Sequence, residues 1–214
     1  MKFNFKILSQ NDTTAFVNMT IMDSTQTSGT DTYLFLVKDN IWKISAFRAL
    51  AKTTLLQNML KQFSNISETE IDSIIETEKT AIHPNVTNRQ EFNILLQNIK
   101  LTLELDDNII KHFLNNKSQF DSLRVKAQYY IKNLITDNSK LEMSLKELEP
   151  EYKPLLITSI FYENETIKFN IGGVSDNNVG FIFVANKSKL PLMSPNLYIL
   201  IREIGDGWYL YKTT

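Results

Sequence analysis

The chain has 214 residues, a formal net charge of -1, 43% hydrophobic residues and no cysteine. That length can bury a core without covalent staples, and the missing thiols exclude a disulfide framework, a cysteine nucleophile and thiolate metal sites. Near-balanced charge lacks the broad positive field with which nonspecific nucleic-acid binders neutralise phosphates, so nucleic acid is a poor partner for this chain.

At the N-terminus Lys2, Asn4 and Lys6 alternate with Phe3 and Phe5, which is not the apolar core of a secretory leader. No run reaches membrane-spanning length. The sequence therefore predicts no membrane span and a cytoplasmic location, or an exported one if a leader has been removed.

Period-two alternation predicts four strands over 3–8, 15–22, 33–38 and 41–47. Short polar separators make these an antiparallel meander, with an exposed Ser/Thr/Gln loop at 24–30 as the one longer link. From about Ala46 to Leu148 the period becomes helical. Leu50, Leu55, Leu56, Met59, Leu60 and Phe63 form one stripe, and Ser67 with Glu70 has the spacing of a capping box that opens a second helix. A third helix starts at Asn88 after a break at Pro84, and Asp106-Asp107 offers an N-cap for Ile109, Ile110 and Phe113. Residues 107–135 read as either one kinked helix or two.

From Pro154 the pattern is β again. Strands are expected over 155–163 and 166–171, with a bulge or sharp bend at Gly172-Gly173, a turn at 176–178 and a strand at 181–184. A closing hairpin follows, with Gly205-Asp206-Gly207 as its turn because glycine accepts positive φ without steric cost. Apolar strand, polar turn and Trp-led return occur twice, around Trp42 and Trp208, the only tryptophans of the chain. The fold class is therefore α+β: an N-terminal antiparallel meander, a helical middle and a C-terminal curved antiparallel sheet packed on helices. The units are 1–63, a helical connector at 64–104, and 105–214.

Few residues invite chemistry. His83 and His112 are the only histidines and neither has a ligand-spaced partner, so ordinary surface or half-buried roles are expected and no metal or cofactor is implied. Asp106-Asp107 reads as a helix cap, and Glu142, Glu147, Glu149 and Glu151 as a solvated run. Glu68, Asp72 and Glu76 repeat at i,i+4 on an acidic helix, where like charges mildly destabilise. They read as a solvated face or, more sharply, as a docking surface for a basic protein partner. The C-terminal aromatics Tyr130, Phe161, Phe169 and Trp208 read as core or as the lining of a pocket for a small apolar ligand between the sheet and the 107–135 helix.

The closing hairpin, Ile199 through Glu203 to Trp208, and the helix-then-meander order before it resemble the cone-shaped α+β fold of the nuclear transport factor two-like and cystatin-like superfamilies. The resemblance covers roughly 105–214, with a partial first copy at 1–50 that lacks preceding helices. It implies a curved sheet folded over a helix. Members of that superfamily include pocket enzymes, ligand binders and toxin-immunity proteins, and no catalytic pair of the enzymatic members maps onto a residue here, so the fold transfers no function. The expected function is a non-catalytic binding module meeting a protein partner or a second copy through a sheet face or the acidic helix. A small-molecule-binding or hydrolytic pocket is the alternative.

Overall fold

The computed structural model describes all residues except 27, 82–85 and 135–142. Two antiparallel sheets and the helices between them in sequence share one core. The N-terminal sheet has the order β1-β2-β3-β4, from Lys2–Gln10, Thr14–Met22, Gly29–Asp39 and Ile41–Ala49. The meander thus forms as its alternation dictates, though β3 begins inside the expected 24–30 loop because Gly29 and Thr30 pair with Met22 and Ile21. Asn40 turns the last hairpin with a φ of 61°, a conformation that asparagine tolerates better than most residues.

Three helices follow: α1 Thr53–Phe63, α2 Glu68–Lys79 and α3 Arg89–Thr102. The Ser67–Glu70 capping box is formed in both directions at α2, and Asn88 caps α3 through the Glu91 amide. The expected α1 stripe is only partly buried. Leu56 is inside and Leu60 and Phe63 are half-buried, whereas Leu55 and Met59 face solvent. These helices share a small cluster centred on Ile75, Val86 and Phe92. The expected break at Pro84 and the role given to His83 lie outside the described residues, as does Glu142.

Residues 106–134 make two helices, α4 Asp106–Asn115 and α5 Lys117–Leu134, separated at Asn116. After the two-residue strand β5 (Met143–Ser144), short 3-10 turns flank a single α-turn, α6 (Glu149–Tyr152). The strand expected from Leu155 starts only at Ser159. Pro154 sits in a 3-10 turn that ends with Leu156 in the left-handed region, which points Leu155 and Ile157 into the core instead. The C-terminal sheet then runs β5-β6-β7-β8-β10-β9, with β6 Ser159–Glu163, β7 Thr166–Val174, β8 Asn177–Phe183, β9 Tyr198–Gly205 and β10 Trp208–Thr213.

One continuous core runs from Tyr33 and Phe35 of the first sheet through Ile109, Phe113, Phe120 and Leu123 to the inner face of the second. Trp208 is 0% exposed at its centre, with the rings of Phe113, Phe169 and Phe183 at 5.0, 4.9 and 5.4 Å. The opposite face of the C-terminal sheet is covered too: Ile182, Val184, Tyr198, Tyr209 and Tyr211 form a second cluster against Leu190 from the 185–197 connection. Arg48 of β4 donates through Nε to the Pro195 carbonyl at 2.6 Å, tying that connection back to the first sheet.

The bulge expected at Gly172 is present, as a register shift between Asn170 and Gly172. It lets α3 approach β7, where Asn98 Nδ2 donates to the carbonyls of Ile171 and Leu156 at 2.6 and 2.7 Å. A Cβ at Gly172 would lie 2.5 Å from Thr102 Oγ1 and 3.1 Å from Asn98 Oδ1. Gly172→Ala is expected to destabilise the chain by about 1–3 kcal/mol through this overpacking, and denaturant unfolding that leaves the midpoint unmoved would refute the close approach.

Candidate functional site

Asp106, read from sequence as part of a cap, is not one. Leu105 occupies the cap position and makes no side-chain cap bond. The carboxylate that caps α4 comes from Asp31, whose Oδ2 accepts from the Asp106 backbone N–H at 2.7 Å. The Asp106 side chain turns inward and is almost fully buried. It pairs with Lys212 Nζ at 2.7 Å and accepts from the Tyr33 hydroxyl at 2.9 Å and from Asn18 Nδ2 at 3.3 Å. Thr20 donates to Asp31 Oδ1 at 2.5 Å. Asp107 points the other way and pairs with Arg202 and with Lys6.

This cluster joins β2, β3, α4 and β10. Burial pushes the Asp106 carboxyl upward, while the Lys212 ammonium draws it back. Burial first, and then the charge of Asp106, hold the Tyr33 phenol well above its ordinary value. A groove of about 260 Å³ lined by Lys6, Asn18, Thr20, Asp31 and Arg202 opens over the cluster. The carboxylates, amide and hydroxyls beneath it are engaged with one another, so the arrangement works as a clamp between the two sheets. Among the described residues no group of three His, Asp or Glu is placed to hold a metal ion, and no helix is long and apolar enough to cross a membrane.

The four aromatics expected around a pocket do not converge. Phe169 and Trp208 meet on the inner sheet face, with Trp208 Nε1 donating to Asp121 at 3.0 Å. Phe161 pairs with Lys168 and therefore points to the other side of the sheet from Phe169. Tyr130 is half-buried on α5. A cleft of about 430 Å³ does lie between α5 and the C-terminal sheet, but its lining, with Gln128 and Ile131 on the helix, Tyr162, Ile167 and Phe183 on the strands and Glu165 in the β6–β7 turn, includes none of the four. His112 lies half-buried, its Nε2 donating to the Leu155 carbonyl at 3.0 Å.

The acidic helix carries its charges to the surface, yet they are already engaged. Arg89 at the start of α3 pairs with Glu68 and Asp72, and Lys79 pairs with Glu76 at 2.7 Å.

The feature that sequence reading passed over is the outer face of the N-terminal sheet. Register places Phe3, Phe5 and Ile7 opposite Ile21, Met19 and Val17, and continues the row through Leu34 to Phe47 and Leu36 to Ile44. Phe5, Ile7 and Ile44 are 64%, 63% and 61% exposed. Trp42 lies on the same face, with Lys38 Nζ 5.7 Å from its ring centroid. The signal was in the sequence. Residues 33–37 are apolar on both parities, and in 15–22 the odd positions are apolar throughout while Asn18 and Thr20 interrupt the even ones, so the outward row of β2 is as apolar as a buried face. Among the described residues only the Tyr33, Phe35 and Phe16 face of this sheet packs into the core. Comparison with protein-family models, with curated proteins and with solved structures finds no match to the chain.

Two measurements test this geometry. Lys212→Met leaves a buried carboxylate uncompensated and is expected to cost about 3–5 kcal/mol, whereas adding Asp106→Asn recovers a large part of it; additive losses in denaturant unfolding would dissolve the clamp. Burial lowers the His112 pKa below its ordinary value, so the unfolded chain binds that proton first. Its contribution to stability is full above about pH 6.5 and shrinks as pH falls toward the lowered folded value. His112→Gln is expected to flatten the melting temperature across that window, and an unchanged pH slope would contradict it.

Proposed function

We propose that this chain is a non-catalytic interaction module that docks a protein through the outer face of its N-terminal sheet. The observation that carries the reading is the contrast between the two sheets: the C-terminal one is covered on both faces, and the N-terminal one leaves a contiguous apolar face open. Monomeric proteins rarely expose contiguous apolar patches beyond a few hundred Å², and larger ones mark interaction sites. The strand β1 supports the same choice of side, since Phe3, Phe5 and Ile7 lie on the outer face and Lys2, Asn4 and Lys6 on the other. The filled core around Trp208 favours docking over an enclosed ligand cavity.

The acidic helix is the weaker surface, because a basic partner would have to displace Arg89 and Lys79 from Glu68, Asp72 and Glu76. The nuclear transport factor two-like resemblance of 105–214 draws support from α4 and α5 preceding an antiparallel sheet that closes on the Trp208 hairpin, and it adds nothing about the partner.

Replacing Phe47 by photoreactive benzoylphenylalanine and irradiating intact cells is expected to give a discrete covalent protein adduct, while the same replacement at Leu192, an exposed position in the 185–197 connection, gives none. Absence of an adduct at Phe47, and again with the probe moved to Phe5, would end the docking reading.

A further inference from the structure

We propose that the occupant of this face is a second copy of the chain, the two N-terminal sheets packing outer face to outer face. The inference rests on the docking reading above and adds the identity of the partner.

Size is the first argument. Strands of about nine residues at ~3.4 Å each, four across at ~4.8 Å, give a projected face of roughly 600 Å². Side-chain relief raises the accessible area toward the ~800 Å² per partner of a standard stable interface. A dimer that used the whole face would therefore need no further contact. A narrow occupant such as a single helix or strand would cover one or two strands and leave the remainder of Phe5, Ile7, Ile44 and Phe47 in water.

Charge is the second. Among the described strand residues the register places only Lys38 on this face as a charged side chain, and it is folded over Trp42 at the β3–β4 turn. A face whose single charge sits at one end has no pattern to select a charged partner. It is complementary to itself, because a two-fold interface sets each patch against its own copy and needs only that like charges stay apart. A two-fold axis lying between the sheets and across the strands sends the two Lys38 residues to opposite ends. Sheet geometry supplies the third argument. Twisted sheets pack face to face at about 10 Å with strands offset by about 30°, and the outward row of Val17, Met19 and Ile21 on β2 beside Leu34 and Leu36 on β3 is the apolar surface such a sandwich requires.

Sedimentation velocity on the purified full-length chain across a dilution series decides the matter, with Phe5→Glu and Ile44→Glu on opposite edge strands and Leu192→Glu as the control. Phe5, Ile44 and Leu192 are exposed, and far-UV circular dichroism reports that each variant is folded. The wild type is expected at twice the chain mass, dissociating on dilution. Each outer-face substitution enters a symmetric interface twice and is expected to raise the dissociation constant by about 100-fold or more, and Leu192→Glu leaves it unchanged. A wild type that stays monomeric at every concentration overturns the proposal, and so does a dimer that survives both outer-face variants. A monomer whose Phe47 probe still crosslinks to a protein of different mass overturns self-association alone, whereas no adduct at all removes the docking reading with it.

Discussion

The ion pair between Asp106 and Lys212 is the constraint on which the arrangement of the two sheets depends. Both side chains are almost completely removed from water, and taking each charge out of solvent costs several kcal/mol before any attraction is counted. The attraction offsets that cost only where geometry is good and the remaining lone pairs are satisfied, which is what Tyr33 and Asn18 supply. Because Lys212 comes from the last strand, Tyr33 and Asn18 from the first sheet and Asp106 from the head of α4, the pair is formed only when the halves of the chain are correctly seated. An apolar contact tolerates a shift of an ångström; a buried carboxylate with these partners does not.

From that junction the two sheets meet different fates. The C-terminal sheet takes α4 and α5 on one face and the 185–197 connection on the other, so that Trp208 has no exposed surface. The N-terminal sheet is fastened to the same core by Tyr33 and Phe35, but among the described residues no helix crosses its outer side. The two tryptophan hairpins, alike in sequence, thereby come to serve different ends: Trp208 anchors the interior, and Trp42 lies on an open apolar surface under Lys38. A sheet with one face committed to the core and the other apolar is the feature on which the proposed docking role rests.

The legibility of this chain varied with the range of the interaction. The four-strand meander, the Ser67 capping box, the helix start at Asn88 and the Gly172 bulge were readable because each depends on residues a few positions apart, through side-chain alternation, a local hydrogen bond or permissive φ. The strand expected from Leu155 failed where Pro154 and the left-handed Leu156 overrode an apolar run. Asp106 was misread for a longer-range reason. Next to Asp107 and before an apolar stripe it has every local mark of a cap, and the carboxylate that satisfies the helix amide belongs to Asp31, 75 residues away.

The sequence by itself determined that this is an α+β chain without thiol chemistry, where its strands and most of its helices lie, and that β2 has an unbroken apolar row at its odd positions while 33–37 of β3 is apolar on both parities. Those properties follow from composition and from periods of 2 and 3.6 residues, which act over a few residues. Which of two apolar faces is covered, which of two adjacent aspartates is buried, and which of two similar tryptophans becomes the core were decided by tertiary structure. Burial is a property of what packs against a residue, and for β2, Asp106 and Trp208 that neighbour lies tens of residues away in the chain.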